Sequence, residues 1–152
     1  MAIRNSAKAI IIADGRILLT KNKDADGDFY LLPGGGQEKF EDIHEALHRE
    51  VYEETSCRIN IKDIRFIREY IAKRHEFAEY DSDSHQIEYM FECSLADDTA
   101  PCNGSIPDAF QTGVEFIPLS QIKSIRLYPT ILKNVIHEDG TFDDKIYLGA
   151  VN

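Results

Sequence analysis

The sequence predicts a single domain of the α/β (α+β) class, a mixed β-sheet sandwiched between helices. Three observations predict it. Short aliphatic runs bounded by turn residues stand both before and after the middle of the chain. Residues 42–55, which contain no Gly or Pro, have the apolar spacing of an amphipathic helix. A length of 152 residues with 43% hydrophobic and 29% charged side chains suits one soluble domain, 1–152, with a proper core. Strands on either side of a central helix, with a second helix late, make a layered domain.

In chain order, residues 7–13 and 16–20 are aliphatic and separated by Asp14-Gly15, a strong hairpin signal. A polar loop over 21–28 leads to a short strand, Phe29 to Leu32, which Pro33-Gly34-Gly35-Gly36 ends in a tight turn. The helix follows, with Asp42 and Glu45 placed as a capping pair. Arg58 to Ile61 and Ile64 to Lys73 read as two strands, the second apolar on both faces as a central strand is. Residues 76–84 are polar and acidic, a connection. His85 to Leu95 alternates, with His85, Ile87, Tyr89, Phe91, Cys93 and Leu95 on one face. Residues 96–113, with two Pro and two Gly, read as an irregular loop. A strand over Val114 to Ile117, a helical turn over Leu119 to Ile125, a helix over Thr130 to His137 and an edge strand over Lys145 to Leu148 complete the chain.

A net charge of −10 argues against a nucleic-acid polymer or an anionic membrane as partner, since both want a basic face. A polyphosphate remains compatible where divalent cations or a few local Arg and Lys reverse the field. Cys57, Cys93 and Cys102 are odd in number and lack CxxC spacing, so reduced thiols in a cytoplasmic protein are expected. The first residues show no signal-peptide pattern, and no apolar run approaches a membrane span.

Chemistry concentrates in Gly35 to Cys57, which holds seven of the 27 acidic residues. At about 100° per residue, Glu50, Glu53 and Glu54 fall within about a 100° arc of the helix. Three carboxylates on one face repel one another unless a cation sits among them, and hard oxygen ligands suit Mg²⁺ or Mn²⁺ better than Zn²⁺. A solvated Glu-rich face is the commonest explanation of an isolated ExxEE, so the surrounding residues decide.

Those residues carry a resemblance. Gly35, then Glu41, Arg49-Glu50, Val51, and Glu53-Glu54 are spaced as in the Nudix box, and the chain resembles a MutT-like Nudix hydrolase. At average residue usage, the six required positions match by chance on the order of once in 10⁵ chains of this length. The resemblance implies a Nudix-type fold and a pyrophosphohydrolase that cleaves a nucleoside diphosphate linked to another moiety by water attack on a diphosphate. It implies that Glu50, Glu53 and Glu54 hold Mg²⁺ or Mn²⁺, with the Gly34 or Gly35 carbonyl close by. Arg49 then locks neighbouring carboxylates, Glu41 supports that network, and Glu53 or Glu50 deprotonates water. Glu88 is an additional candidate ligand or base, and Arg68, Arg74 and Tyr80 are candidate substrate contacts. A homodimer stays open. Two positions depart from the family pattern: Ser56 stands where Gly usually ends the helix in a left-handed conformation, and Phe40 replaces the Gly before the first Glu.

Two rivals need weighing. His44-Glu45-Ala46-Leu47-His48 matches the HExxH zinc signature. With His44 at 0° on the helix, His48 lies near about 40° and Glu53, Glu50 and Glu54 near roughly 180°, 240° and 280°, so one site cannot use both sets. The other rival is a non-catalytic nucleotide- or metabolite-binding module that kept the fold, for which three ligands on one face are superfluous. The substrate is less legible. The family's ADP-ribose enzymes resemble one another in a Pro about fifteen residues past the box, where Ala72 stands here. The NADH-enzyme array is absent, as is any Trp, while nucleoside triphosphates and nucleotide sugars stay open.

Overall fold

A computed structural model describes residues 2–75 and 83–152. Strands β1 (Arg4–Ala13) and β2 (Arg16–Asp24) meet at the Asp14-Gly15 turn, where both residues have positive φ (52° and 71°) as a tight hairpin requires. Next come β3 (Gly27–Leu31), β4 (Gly34–Gly36), helix α1 (Ile43–Thr55), β5 (Ile59–Ile71) and β6 (His85–Leu95). The chain closes with β7 (Gln111–Pro118), a 3₁₀ segment over Leu119–Ser124, β8 (Leu127–Tyr128), the short α2 (Leu132–Val135) and β9 (Tyr147–Ala150).

Along the sheet the order is β8-β3-β2-β1-β6-β5-β9, with β4 added on β1 and β7 on β2. It is mixed: β1 runs parallel to β6, whereas β5 and β6 are antiparallel. Alternation along β1 and β2 feeds two cores. Ile10, Ile17 and Leu19 join a cluster closed by Leu119 and Ile122 of the 3₁₀ segment and by Leu132 and Val135 of α2. Ala7, Ala9, Ile11 and Leu18 face the other way, against Leu47 and Val51 of α1. The sheet is therefore sandwiched between helices, with α1 the helix on the second face among the described residues. No helix among the described residues is long and apolar enough to cross a membrane. All three cysteines are free thiols.

Several elements differ from the sequence reading. Gly34 to Gly36 form a strand rather than a turn, pairing with Lys8, Ala7 and Ser6 of β1. The strands lie so close that a Cβ on Gly34 would collide with the Ala7 carbonyl, so glycine here permits approach as well as bending. The two strands read at 58–61 and 64–73 are one, β5, whose pairing with β6 shifts register between Ile61 and Ile64 and ends in a 3₁₀ turn over Ala72–Arg74. Polar Lys62-Asp63 mark that irregularity, not a turn between strands. β2 and β3 extend into the polar loop at 21–28 as a second hairpin. β8 carries no signal of its own, α2 is shorter than 130–137, and β9 lies two residues beyond the expected edge strand.

Candidate active site

Helix α1 begins with the expected capping box. Asp42 Oδ1 accepts from the Glu45 amide at 2.8 Å, and Glu45 Oε1 accepts from the Asp42 amide at 3.2 Å. The helix ends at Ser56 in the left-handed conformation (φ 63°), its amide donating to the Tyr52 carbonyl at 2.9 Å. Phe40 is also left-handed (φ 73°) and fully exposed. Both departures from the family pattern thus keep the backbone shape that glycine serves elsewhere, at the cost of local strain.

Arg49 is the hub. Its Nε and Nη2 donate to the two oxygens of Glu41 at 3.1 and 2.7 Å, a bidentate pair. Nη1 reaches Glu50 at 3.0 Å and Glu53 at 3.3 Å, and Nη2 also donates to the Gly36 carbonyl at 3.0 Å. One guanidinium therefore ties the β4 segment, the loop carboxylate Glu41 and two of the three helix glutamates into one body. Those contacts hold Glu41 below the usual carboxylate range and Arg49 firmly protonated.

Glu54 is in a different state. At helical spacing from Leu47 and Val51 it lies on the buried side of α1 and is 1% exposed. The Gly34 amide donates to Oε2 at 3.1 Å, while Oε1 is buried with no hydrogen-bond partner among the described residues. Burial pushes its pKa up from 4.5 to about 8, the nearby Asp108 charge adds to this, and Lys8 opposes it. Glu50 is raised in the same direction, first by desolvation, and sits over Gly35 so closely that a Cβ there would meet its carboxylate. Among the described residues no three acidic, His or Cys side chains form a finished cation cage. The donor set nevertheless fits a hard divalent cation: oxygen ligands only, two of them desolvated, and one buried oxygen lacking any hydrogen bond.

The long loop before β7, read as irregular, is docked on the end of α1. Amides of Cys102, Gly104 and Ile106 donate to the carbonyls of Thr55, Glu54 and Glu53 at 3.1, 2.9 and 3.1 Å. Gln111 Nε2 adds a second bond to the Glu54 carbonyl at 2.9 Å. The last-turn carbonyls that a helix leaves open are thereby satisfied. This docking brings Asp108 beside Glu50 and Glu54, both of which feel its charge. Sequence reasoning missed Asp108, and its only signal was Gly104, where a Cβ would strike the Glu53 carbonyl. Lys8 and Arg4 were missed too. Lys8 donates to the Gly34 carbonyl at 3.3 Å, and the Arg4 guanidinium lies against Gly36 without an ion pair among the described residues.

Glu88 and Arg68 pair with each other, and Arg68 also lines the cleft that adjoins the glutamates. Register puts them opposite on β6 and β5, and Arg68 Nε and Nη2 bind both Glu88 oxygens at 2.9 and 3.1 Å, with both residues buried. The Coulombic pull of Arg68, with that of Lys8, outweighs burial and lowers the Glu88 pKa. Arg68 also donates to the Val151 carbonyl at 2.7 Å. Arg74 is exposed beyond the end of β5, and its charge acts on Glu69 and Tyr147, neither of which joins the glutamates. Tyr80 lies outside the described residues. His44 and His48 are exposed, the former edge-on to Phe91 at 5.2 Å, and neither approaches the Arg49 network.

A cleft of about 890 Å³ adjoins the glutamates through Asp108. Asn22, Asp24, Phe29, Arg68, Tyr70, Phe110, Arg126 and Tyr128 contribute to its walls. Arg126 holds Asp24 bidentately, 3.0 Å on each side, and lies over the rings of Phe29 and Tyr128.

With this geometry in place, the comparisons agree. The family model described as NUDIX domain matches residues 3–138. The chain belongs to the Nudix family. Among solved structures, a NUDIX hydrolase from Nitrosomonas europaea superposes with a TM-score of 0.71 at 15% identity, covering 93% of each chain. A MutT NUDIX hydrolase from Burkholderia pseudomallei shares 25% identity at a TM-score of 0.58, over 79% of this chain and 86% of its own. An ADP-ribose pyrophosphatase from Streptococcus suis gives 0.56 at 17% identity, over 91% and 87%. No curated protein matches the sequence significantly.

Proposed function

We propose that this Nudix protein is a Mg²⁺- or Mn²⁺-dependent pyrophosphohydrolase acting on a nucleoside diphosphate linked to another moiety, a nucleoside triphosphate or nucleotide sugar among them. The observation that carries the reading is Glu54: a desolvated carboxylate with one unpartnered oxygen, on the same helix face as Glu50 and Glu53 and beside a cleft of nucleotide size. Burying such a group costs several kcal/mol, roughly, unless something compensates it.

Glu50, Glu53, Glu54 and the Gly35 carbonyl would hold the cation. When bound, it supplies Lewis-acid stabilisation of the phosphoryl oxygens and eases ionisation of water. Glu53, the more exposed of the two carboxylates on Arg49 Nη1, takes the proton of the attacking water, and Glu50 is the alternative base. Arg49 fixes both carboxylates, and Glu41 fixes Arg49. Lys8 and Arg4 add positive charge at the glycine strand, where it offsets the phosphates in an otherwise acidic protein. The water oxygen bonds to one phosphorus of the diphosphate as the bond from that phosphorus to the bridging oxygen breaks, and the other phosphate leaves with the bridging oxygen. Arg68 lines the cleft and is held there by its ion pair with the buried Glu88.

Formation of nucleoside mono- or diphosphate from a panel of nucleoside triphosphates, nucleotide sugars and ADP-ribose, with and without Mg²⁺, tests this. Turnover that needs the cation and drops at least about 100-fold in Glu53→Gln is expected. A panel bound but never hydrolysed would leave a binding module.

A further inference from the structure

We propose that the cleft takes the base of the substrate and selects bases whose edge carries an exocyclic amino group, adenine and cytosine, over their oxo counterparts hypoxanthine and uracil. It rests on the reading above for the presence of a nucleotide, and extends it to what the cleft recognises.

The cleft is built for a flat, uncharged ring. Phe29 and Tyr128 meet edge to face at 6.1 Å, and the Arg126 guanidinium lies 5.3 and 5.7 Å from their ring centres. Phe110, 63% exposed, adds an aromatic face on the docked loop. Such planes stack on any base. Phosphate is unwelcome. Both arginines are already engaged, Arg126 by Asp24 and Arg68 by Glu88, so the described lining residues offer no uncommitted cation. Asp26 and Asp108, which also line the cleft, make no ion pair among the described residues and repel a phosphate group. The phosphates are left to the glutamate end, which Asp108 joins to the cleft.

The polar groups left over define the edge. Asn22 is 1% exposed, and its Nδ2 donates to the Thr20 carbonyl and Oγ1, both at 3.2 Å. Its Oδ1 accepts nothing among the described residues, which leaves an acceptor in the cleft wall. The carboxylates of Asp26 and Asp108 are acceptors as well. The complementary donor is Asn152 Nδ2, buried and unpartnered, whose Oδ1 is taken by Arg68 at 3.1 Å. Adenine and cytosine present an amino donor next to a bare ring nitrogen, a donor for this excess of acceptors and an acceptor for the one unpartnered donor of the same cleft. Hypoxanthine and uracil reverse both positions, setting oxygen against oxygen and N–H against N–H, and leave buried groups unpaired.

Neutral nucleosides separate this from hydrolysis, because they need neither metal nor a scissile bond. Titrating metal-free protein with cytidine, uridine, adenosine and inosine, followed by NMR shifts of the Phe29, Phe110 and Tyr128 rings, should show each amino member binding at least about tenfold tighter than its oxo partner. Phe110→Ala, a change on an exposed loop, should weaken all four about tenfold. Equal or tighter binding of uridine or inosine overturns the proposal, as do an unaffected Phe110→Ala, shifts mapping elsewhere, or no shift at all. Base-selective binding without turnover on any nucleotide would sink the hydrolase reading and keep this one. Turnover indifferent to the base would do the reverse.

Discussion

Glu54→Gln replaces the most buried charge of the helix with a neutral side chain of the same shape that still accepts the Gly34 amide. In the folded protein the carboxyl titrates near 8, against 4.5 when exposed. Between these values the folded state holds a proton that the unfolded state has released, so stability falls as pH rises through the window. With a folded value of about 8 the loss accumulated by pH 8 is about 4 kcal/mol, an upper figure because Lys8 and local relaxation soften it. For a domain of this size that corresponds to on the order of 10 °C in Tm. Metal-free parent protein should therefore lose stability from pH 5 to pH 8 more steeply than Glu54→Gln, and the variant should be the more stable of the two at pH 8. Excess Mg²⁺ or Mn²⁺ should restore the parent at pH 8 and stabilise the variant less, since stabilisation by a ligand follows its affinity for the folded state. Urea midpoints at pH 5 and pH 8, with and without the cation, measure all of this. Parallel pH profiles for the two proteins would refute the reasoning, because Glu54 would then carry no unusual proton.

Three further predictions concern the frame around that residue. Arg49→Lys keeps the charge but not the fork that spans Glu41, Glu50, Glu53 and the Gly36 carbonyl; it should cost about 2 kcal/mol in urea unfolding and at least about 100-fold in kcat. Ser56→Gly and Phe40→Gly relieve left-handed strain at the two ends of the motif and should each raise stability by about 0.5–1 kcal/mol, with activity unchanged. Arg68→Met strands Glu88 in a buried site and should cost about 3–5 kcal/mol, while adding Glu88→Gln should recover most of it, as a double-mutant cycle in urea would show.

Much of the helix could be read from the chain because its determinants are local. While the left-handed end at Ser56 is marked only by the family pattern, the Asp42–Glu45 box and the place of Glu54 on the apolar side of the helix follow from spacing along one element. The same holds for β6, whose ends match the alternation of its residues. What could not be read depends on partners distant in sequence. Whether three glycines turn or pair is decided by β1, not by the glycines. Arg68 and Glu88 look like a phosphate contact and a spare ligand until register sets them opposite each other. Their burial could be inferred only by pairing the two strands first. The docked loop is held by backbone bonds, which leave almost no mark in side-chain identity, and so Asp108 stayed hidden. Arg126 and Asp24 are too far apart in the chain for any local pattern to join them.

The central claim is that Glu50, Glu53 and Glu54, not His44 and His48, gather a divalent cation. Mn²⁺ titration followed by EPR at pH 8 addresses it without relying on turnover. The parent and His44→Ala/His48→Ala should bind alike, with binding weakened by at least about tenfold in Glu50→Gln, Glu53→Gln and Glu54→Gln. Binding that survives all three glutamate changes, or that disappears with the histidines, would contradict the account.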